Sequence, residues 1–244
     1  MNEAFLINGR LRPNGILIVG DHASKFIPDE VDLDLTQMQR ESHIAWDIGV
    51  AGVAEILVTR YGCSAILAGT SRLVVDLNRY ADEAAVIPIV SDGIALCANQ
   101  ISESAKAERL QKYYHPYHDA LQGLIVQLSP KLLLSLHSFT PQLSANPEEK
   151  RPWEISVLYN QDDRAARIAV PEFENAGLCV GDQQPYSGKA LNATMNRHGE
   201  GNNIPYLGIE MRQDFVADRE GQARFAALLA NTCRKITEML GGAN

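Results

Sequence analysis

The hydrophobic pattern along this chain switches between short continuous apolar runs and stretches of helical period. The strongest run lies in 131–141, KLLLSLHSFTP, where Leu132, Leu133, Leu134 and Leu136 leave almost no polar break. Such runs read as strands buried on both faces, the habit of central strands in parallel sheets. Residues 15–20, GILIVG, form a second one bounded by glycines. Further strands are expected at 64–68 (SAILA), 73–77 (LVVDL), 154–159, 178–180 and 206–212 (YLGIEMR). Apolar spacing predicts a helix over 43–60, with Trp46 and Asp47 in its first turn and an end near Gly62. A second helix is expected over 102–128, capped by Ser102 or Ser104 and kinked or broken at Pro116. A third spans 161–175, with Pro171 as a shortening element, and a fourth runs from an Asp218 cap to about Leu240. Residues 81–100, holding Pro88 and Gly93, read as an irregular excursion, and 142–152 as a loop. Strands alternating with helices indicate an α/β protein, a three-layer α/β/α sandwich around a mixed, mostly parallel sheet. No repeat, linker or low-complexity tract interrupts the pattern, so 1–244 is read as a single domain.

Composition narrows the function classes. A net charge of −8 gives a nucleic-acid role no electrostatic support. Cys63, Cys97, Cys179 and Cys233 are far apart with no CxxC pair, which reads as reduced thiols rather than a disulfide framework or a zinc ribbon. The first ten residues hold no long apolar segment, and no apolar run approaches the ~18 residues of a membrane span. A cytoplasmic protein without a membrane partner is therefore expected. The oligomeric state is not legible.

Polar residues gather where the apolar runs end. His137, Ser138 and Thr140 follow the central strand, and Asp21-His22 follows the 15–20 strand. Open α/β sheets place their ligands at such carboxyl ends. Catalytic zinc sites keep three protein ligands, commonly two His and one carboxylate, with a fourth position for water. That water becomes a nucleophile near neutral pH. His22, Asp47 and His137 make such a set, without an HxxH or HExxH signature. His43, four residues before Asp47, would share its helix face and is a rival ligand or an outer partner. The plainer readings are a core histidine and a carboxylate capping a first helical turn. Asp76-Leu77-Asn78-Arg79 ends the 73–77 run. There Arg79 offers a bidentate donor for a substrate carboxylate, Asn78 adds neutral hydrogen bonds, and Arg72 could form the other wall. A surface ion pair would account for the same arginine. Glu210 interrupts an apolar strand, and burying a carboxylate there is costly unless it is paired or has work to do. It reads as a general base, or as a partner of Arg212, which shares its side of the strand, so that both could point into one polar cleft with Arg212 as a further substrate-binding residue. His115 and His118, beside Pro116, are further candidates for site contact.

These blocks together resemble the N-formylglutamate amidohydrolase family. The resemblance rests on DHASKFIP (21–28), HIAWDIG (43–49), SRLVVDLNR (71–79), YHPYH (114–118), SLHSFTP (135–141) and GIEMR (208–212), spread in order over about residues 15–215. It implies a fold similar to zinc carboxypeptidases and aspartoacylase-type deacylases (phosphorylase/hydrolase-like), with one divalent metal, zinc. It matches His22 and His137 to metal-binding histidines, the Asp76–Arg79 block to a carboxylate-binding segment, and Glu210 to a general base. The wider carboxypeptidase pattern uses HxxE, and here Lys25 stands in the last position. Asp47 is then the candidate for the missing ligand. The implied reaction is hydrolysis of N-formyl-L-glutamate to formate and L-glutamate, a step of histidine degradation, on a small-molecule carboxylate substrate. The long polar segment 181–204, carrying four glycines, Tyr186, Ser187 and His198, becomes the candidate lid or binding loop over that substrate. Two other readings compete: a peptidase or amidase on a larger amide, and a binding protein on a decayed hydrolase scaffold, which Lys25 alone favours.

Overall fold

Helices cover both faces of the sheet that contains the 132–136 run, which is why Ser135 is its only polar residue. The computed structural model describes residues 4–241. In chain order they form β1 (Phe5–Asn8), β2 (Ile16–Gly20), α1 (Gln37–Arg40), α2 (Val50–Tyr61), β3 (Ser64–Ala68) and a small hairpin of β4 (Val90–Ser91) and β5 (Ile94–Ala95). Then come α3 (Glu103–Arg109), α4 (His115–Leu128), β6 (Leu132–Phe139), β7 (Ile155–Leu158), α5 (Ala166–Asn175), β8 (Val180–Asp182), α6 (Ala193–His198), β9 (Tyr206–Arg212) and α7 (Arg219–Gly241). The seven-stranded sheet has the order β1-β3-β2-β6-β9-β7-β8. Neighbours β3, β2, β6 and β9 are parallel, while β1 and β7 run antiparallel to β3 and β9. This is the mixed, mostly parallel α/β sheet expected.

Strand alternation divides the core. Ile18, Leu134, Leu136, Leu207 and Ile209 pack with α2, α5 and α7 on one face. Leu17, Val19, Leu133 and Tyr206 pack on the other with Tyr117, Leu121 and Leu124 of α4. By the same alternation, Ser135 and His137 follow Leu133, and Glu210 follows Tyr206, onto the α4 side. Register then aligns them: His137 pairs with Glu210, and Val19 with Ser135, so Asp21 lies abreast of His137 two residues beyond the last β2–β6 rung. The polar ends thus form one row across the carboxyl edge of the sheet.

Four expectations are corrected. First, the helix expected from 43 begins only at Val50, so Asp47 is not in a helical turn and shares no helix face with His43. Gly49 takes φ +87°, outside helical space, and Asp47 N–H donates to His22 O (2.9 Å). Second, 73–77 is not a strand, although Leu73, Val74, Val75 and Leu77 are all buried. Its backbone is satisfied by side chains instead of a ladder: Asn99 donates to Leu73 O, Arg109 to Val74 O, and His118 and Thr194 to Leu77 O. Third, the division of the 102–128 helix falls just before Pro116 rather than at it: Leu110–Tyr114 widens into a π turn, and α4 starts at His115 with Pro116 in its first turn, where a missing N–H is tolerated. Fourth, the strand expected at 178–180 is β8, shifted to Val180–Asp182, and the antiparallel edge strand β1 was not anticipated. Ser102 caps α3 as expected, accepting from Ala105 N–H (3.2 Å), and Asp218 accepts from Gly221 N–H (2.8 Å) at α7.

Gly49 is the hinge of the site, because it turns the chain from the Asp47 segment into α2. A Cβ there would meet Val216 O at 2.3 Å in addition to the strain of positive φ. Gly49→Ala should lower stability by about 1–3 kcal/mol, read as a reduced urea midpoint at unchanged slope.

Candidate active site

Two strand ends and one irregular segment deliver the candidate side chains to the edge of the sheet. β2 runs directly into Asp21-His22, and β6 carries His137 on its sixth residue. The segment preceding α2 is stitched between them: Ser138 Oγ donates to Ile48 O (2.8 Å), Ser71 Oγ to Ala45 O (2.6 Å), and Ser138 N–H to Asp47 (3.3 Å). Asp47 Oδ2 therefore sits 2.9 Å from His137 Nδ1 and 3.5 Å from His22 Nδ1. Among the described residues, His22, Asp47 and His137 form a buried group whose ligand atoms lie within 4.8 Å of one another. The imidazoles meet edge to face, with centroids 4.9 Å apart.

Behind this group stands Asp76. Its Oδ1 accepts from His22 Nε2 (2.8 Å), which turns His22 Nδ1 toward Asp47. Nδ1 itself has no hydrogen-bond partner. Arg72 closes the arrangement, with one terminal nitrogen 3.0 Å from Asp76 Oδ2 and the other 3.4 Å from Asp47 Oδ1.

Charge balance inside this buried group sets the protonation states. Burial and Arg72 both oppose a charged His22, yet the Asp76 and Asp47 carboxylates outweigh them and raise its pKa to about 9. His137 is also raised: burial opposes, and Asp47 prevails through its hydrogen bond and its charge. Asp47 and Asp76 are held well below the ordinary carboxylate range against the cost of burial, chiefly by the positive charge of His22. Glu210 behaves in the opposite way. Burial pushes its carboxyl up to about 7, Asp47 adds to the shift, and His137, Arg72 and His22 work against it. Its Oε2 is buried without a partner. A carboxyl that titrates near neutrality is suited to taking and returning a proton.

These groups line a cavity of about 260 Å³, which also meets Asn78, Arg79, His43 and Tyr186. Asn78 Oδ1 accepts from Thr194 N–H (3.1 Å), which leaves its amide N–H groups for another partner. Arg79 makes only long contacts, 3.9 Å to Asp76 and 3.6 Å to Glu83. His43 lines the wall but stays out of the ligand group, because Asp92 holds its Nε2 at 3.1 Å. Segment 181–204 is more ordered than a structureless loop, with α6 inside it, and it sends Tyr186 to the cavity.

Other expected residues are elsewhere. Arg212 does not line the cavity: its fork grips Asp214 and the carbonyls of Arg151 and Pro152. It therefore does not pair with Glu210, despite sharing its side of β9. Lys25 is at the surface on Glu41 (2.6 Å). Ser187, His115, His118 and His198 do not line the cavity either. The last two stack at 9° with centroids 5.2 Å apart. Leu77 O takes the His118 Nε2 proton, so His118 Nδ1 accepts from His198 Nε2 (3.0 Å), while His198 Nδ1 lies 3.2 Å from Gln122 Oε1.

Sequence reasoning gave no role to Asp76 or Asp21, although both adjoin residues it singled out. It also overlooked Arg151, a buried guanidinium that donates to the Tyr186 hydroxyl (3.0 Å), and Asp92 in the β4–β5 turn. Nothing in a linear pattern marks those two. All four cysteines are free, and no helix of the described residues is long and apolar enough to cross a membrane.

A family model described as N-formylglutamate amidohydrolase matches residues 15–217. A gene product of Agrobacterium tumefaciens with a known crystal structure is 27% identical and superimposes with a TM-score of 0.92, over 98% of this chain and 96% of that one. The N-formylglutamate amidohydrolase of Ralstonia eutropha is 17% identical with a TM-score of 0.69 over 100% of both chains, a likeness of fold. No curated protein matches the chain.

The stacked pair of imidazoles has a measurable consequence. Burial, with Arg197 adding, holds the pKa of His198 down to about 4 and that of His118 far below its ordinary value. The unfolded chain takes up protons from about pH 6.5 downward while the folded one does not. Stability from this pair is thus complete above about pH 6.5 and is lost as pH falls toward 4, by about 1–3 kcal/mol. Urea midpoints at pH 7 and pH 5 should differ less in His198→Gln than in the wild type.

Proposed function

Because the chain belongs to the N-formylglutamate amidohydrolase family, we propose that it is a metal-dependent hydrolase of N-acyl amino acids, with N-formyl-L-glutamate as the leading substrate. The observation that carries the reading is Glu210, its Oε2 unpartnered and its carboxyl pushed up to about 7, beside His137 and lining the same small cavity as the buried His22–Asp47–His137 group, with Arg79 on its wall.

The residues fit one divalent ion. Two imidazoles and a carboxylate are the donor set of catalytic zinc sites, and the orphaned, buried Nδ1 of His22 is an atom that needs a partner. Asp47 supplies the carboxylate that Lys25 does not. When bound by His22, Asp47 and His137, zinc supplies Lewis acidity to the acyl carbonyl and to a water.

The chain's own groups do the rest. Glu210 takes a proton from the attacking water and passes it to the departing amine nitrogen, so that formate and the free amino acid leave. Arg79 and Asn78 bind a substrate carboxylate, the first through its fork and the second through the amide N–H groups that Thr194 leaves free. Arg72, already spanning Asp47 and Asp76, adds positive charge beside the acyl oxygen. Tyr186 closes the wall from segment 181–204. A cavity of about 260 Å³ suits a small acyl amino acid better than an extended peptide. With the base and three ligand groups together, a decayed scaffold has little support.

Glu210→Gln should reduce formate release from N-formyl-L-glutamate by about 100- to 10,000-fold while metal content stays unchanged. Full turnover by that variant would remove Glu210 from the mechanism. Chelation should abolish turnover and zinc should restore it. Asp47→Ala should lose bound metal, whereas His43→Ala should keep it; elemental analysis of the purified variants decides between the two.

A further inference from the structure

Asp21 is the buried carboxylate that the proposed reaction does not use. Its side chain has no solvent exposure, and it stands beside His137 in the row of residues across the sheet edge. Tyr117, on α4, donates its hydroxyl proton to Asp21 Oδ1 (2.6 Å). The other oxygen, Oδ2, has no hydrogen-bond partner, and neither has His137 Nε2. These two orphaned atoms face each other at 3.7 Å, a gap that a small rotation of the imidazole closes to hydrogen-bond range. A buried carboxylate oxygen without a donor is costly, and so is a buried ring nitrogen without a partner. Together they satisfy one another.

We propose that Asp21, clamped by Tyr117, is a positioning residue that accepts the Nε2 proton of His137 and so commits His137 Nδ1 to the ligand group. The arrangement repeats that of His22, whose Nε2 donates to Asp76 and whose Nδ1 faces Asp47. Both histidines then present Nδ1 inward and donate Nε2–H outward to a carboxylate. Such outer carboxylates fix the tautomer and the ring orientation of a ligand histidine. Tyr117 is essential to the device, because its hydroxyl occupies Oδ1 and leaves Oδ2 to turn toward His137. The inference rests on the metal reading given above.

Asp21→Asn tests it with little change of shape. The amide oxygen keeps the Tyr117 bond, so the amide N–H₂ faces His137 Nε2 and favours a lone pair there, which places the proton on Nδ1. Zinc affinity, read by competition with a chromophoric chelator, should fall about 10- to 100-fold. In ¹⁵N–¹H spectra of the zinc-loaded wild type, His137 should show a protonated Nε2 and an unprotonated Nδ1; the Nε2 proton should be lost or shifted in the variant. Tyr117→Phe keeps the carboxylate and frees it from its clamp, and should weaken zinc binding in the same direction but less. It also serves if Asp21→Asn fails to fold. Wild-type zinc affinity in Asp21→Asn or in Tyr117→Phe, with an unchanged His137 spectrum, would overturn the inference and leave the metal reading intact. A wild-type protein that binds no zinc would remove both.

Discussion

The arrangement depends on charge balance in a place with almost no water. Asp47, Asp76, His22 and His137 are all buried at the carboxyl ends of β2 and β6, with Arg72 against both carboxylates. An isolated ion in such a place would be neutralised or would unfold its surroundings. Here each carboxylate is met by an imidazole, and the fork of Arg72 spans the two. The group is a preformed receptacle for positive charge, which protons on the histidines fill when nothing else does. That is the electrostatic condition for a metal centre, and it explains why Glu210, just beyond this group, is left as the carboxyl that titrates near neutrality.

Holding that balance requires irregular backbone. The 43–49 segment and the 73–77 segment carry Asp47 and Asp76, and neither is helix or strand. Each is buried, so its polar backbone has to be satisfied by other means. Ser71 and Ser138 serve the first; Asn99, Arg109, His118 and Thr194 serve the second. His118 and His198, which looked like site histidines, are part of this supporting work. His118, stacked on His198, holds Leu77 O, immediately before Asn78 of the cavity wall.

The sheet edge brings in the remaining parts. β6 and β9 are parallel neighbours in a register that sets Glu210 beside His137, and the extension of β2 sets Asp21 on its other side. Segment 181–204 and the β4–β5 turn form the opposite wall through Tyr186 and Asp92, with Arg151 behind the tyrosine.

Much of this could be read from the linear chain. Continuous apolar runs identify strands buried on both faces, so β2, β6 and β9 and their polar ends were legible, and with them His22, His137 and Glu210. A carboxylate in an apolar strand is conspicuous because burial makes it expensive. Asp47 was legible as a candidate but not as a turn residue, since periodicity cannot register the positive φ of Gly49. The 73–77 run was misread because apolar composition reports burial, not ladder pairing, and the side chains that replace the ladder come from α3, α4, α6 and the loop at Asn99. Arg212 was assigned to the cleft because strand alternation gives the side of a residue but not the bend of its side chain toward Asp214. Asp21, Asp76, Arg151 and Asp92 meet the site through partners 35 to 96 residues away. Residue chemistry and periodicity are local properties, and they determined the sheet, its polar edge and the kinds of group available there. Which nitrogen faces which carboxylate depends on distant segments meeting at set distances, and only the tertiary structure decided that.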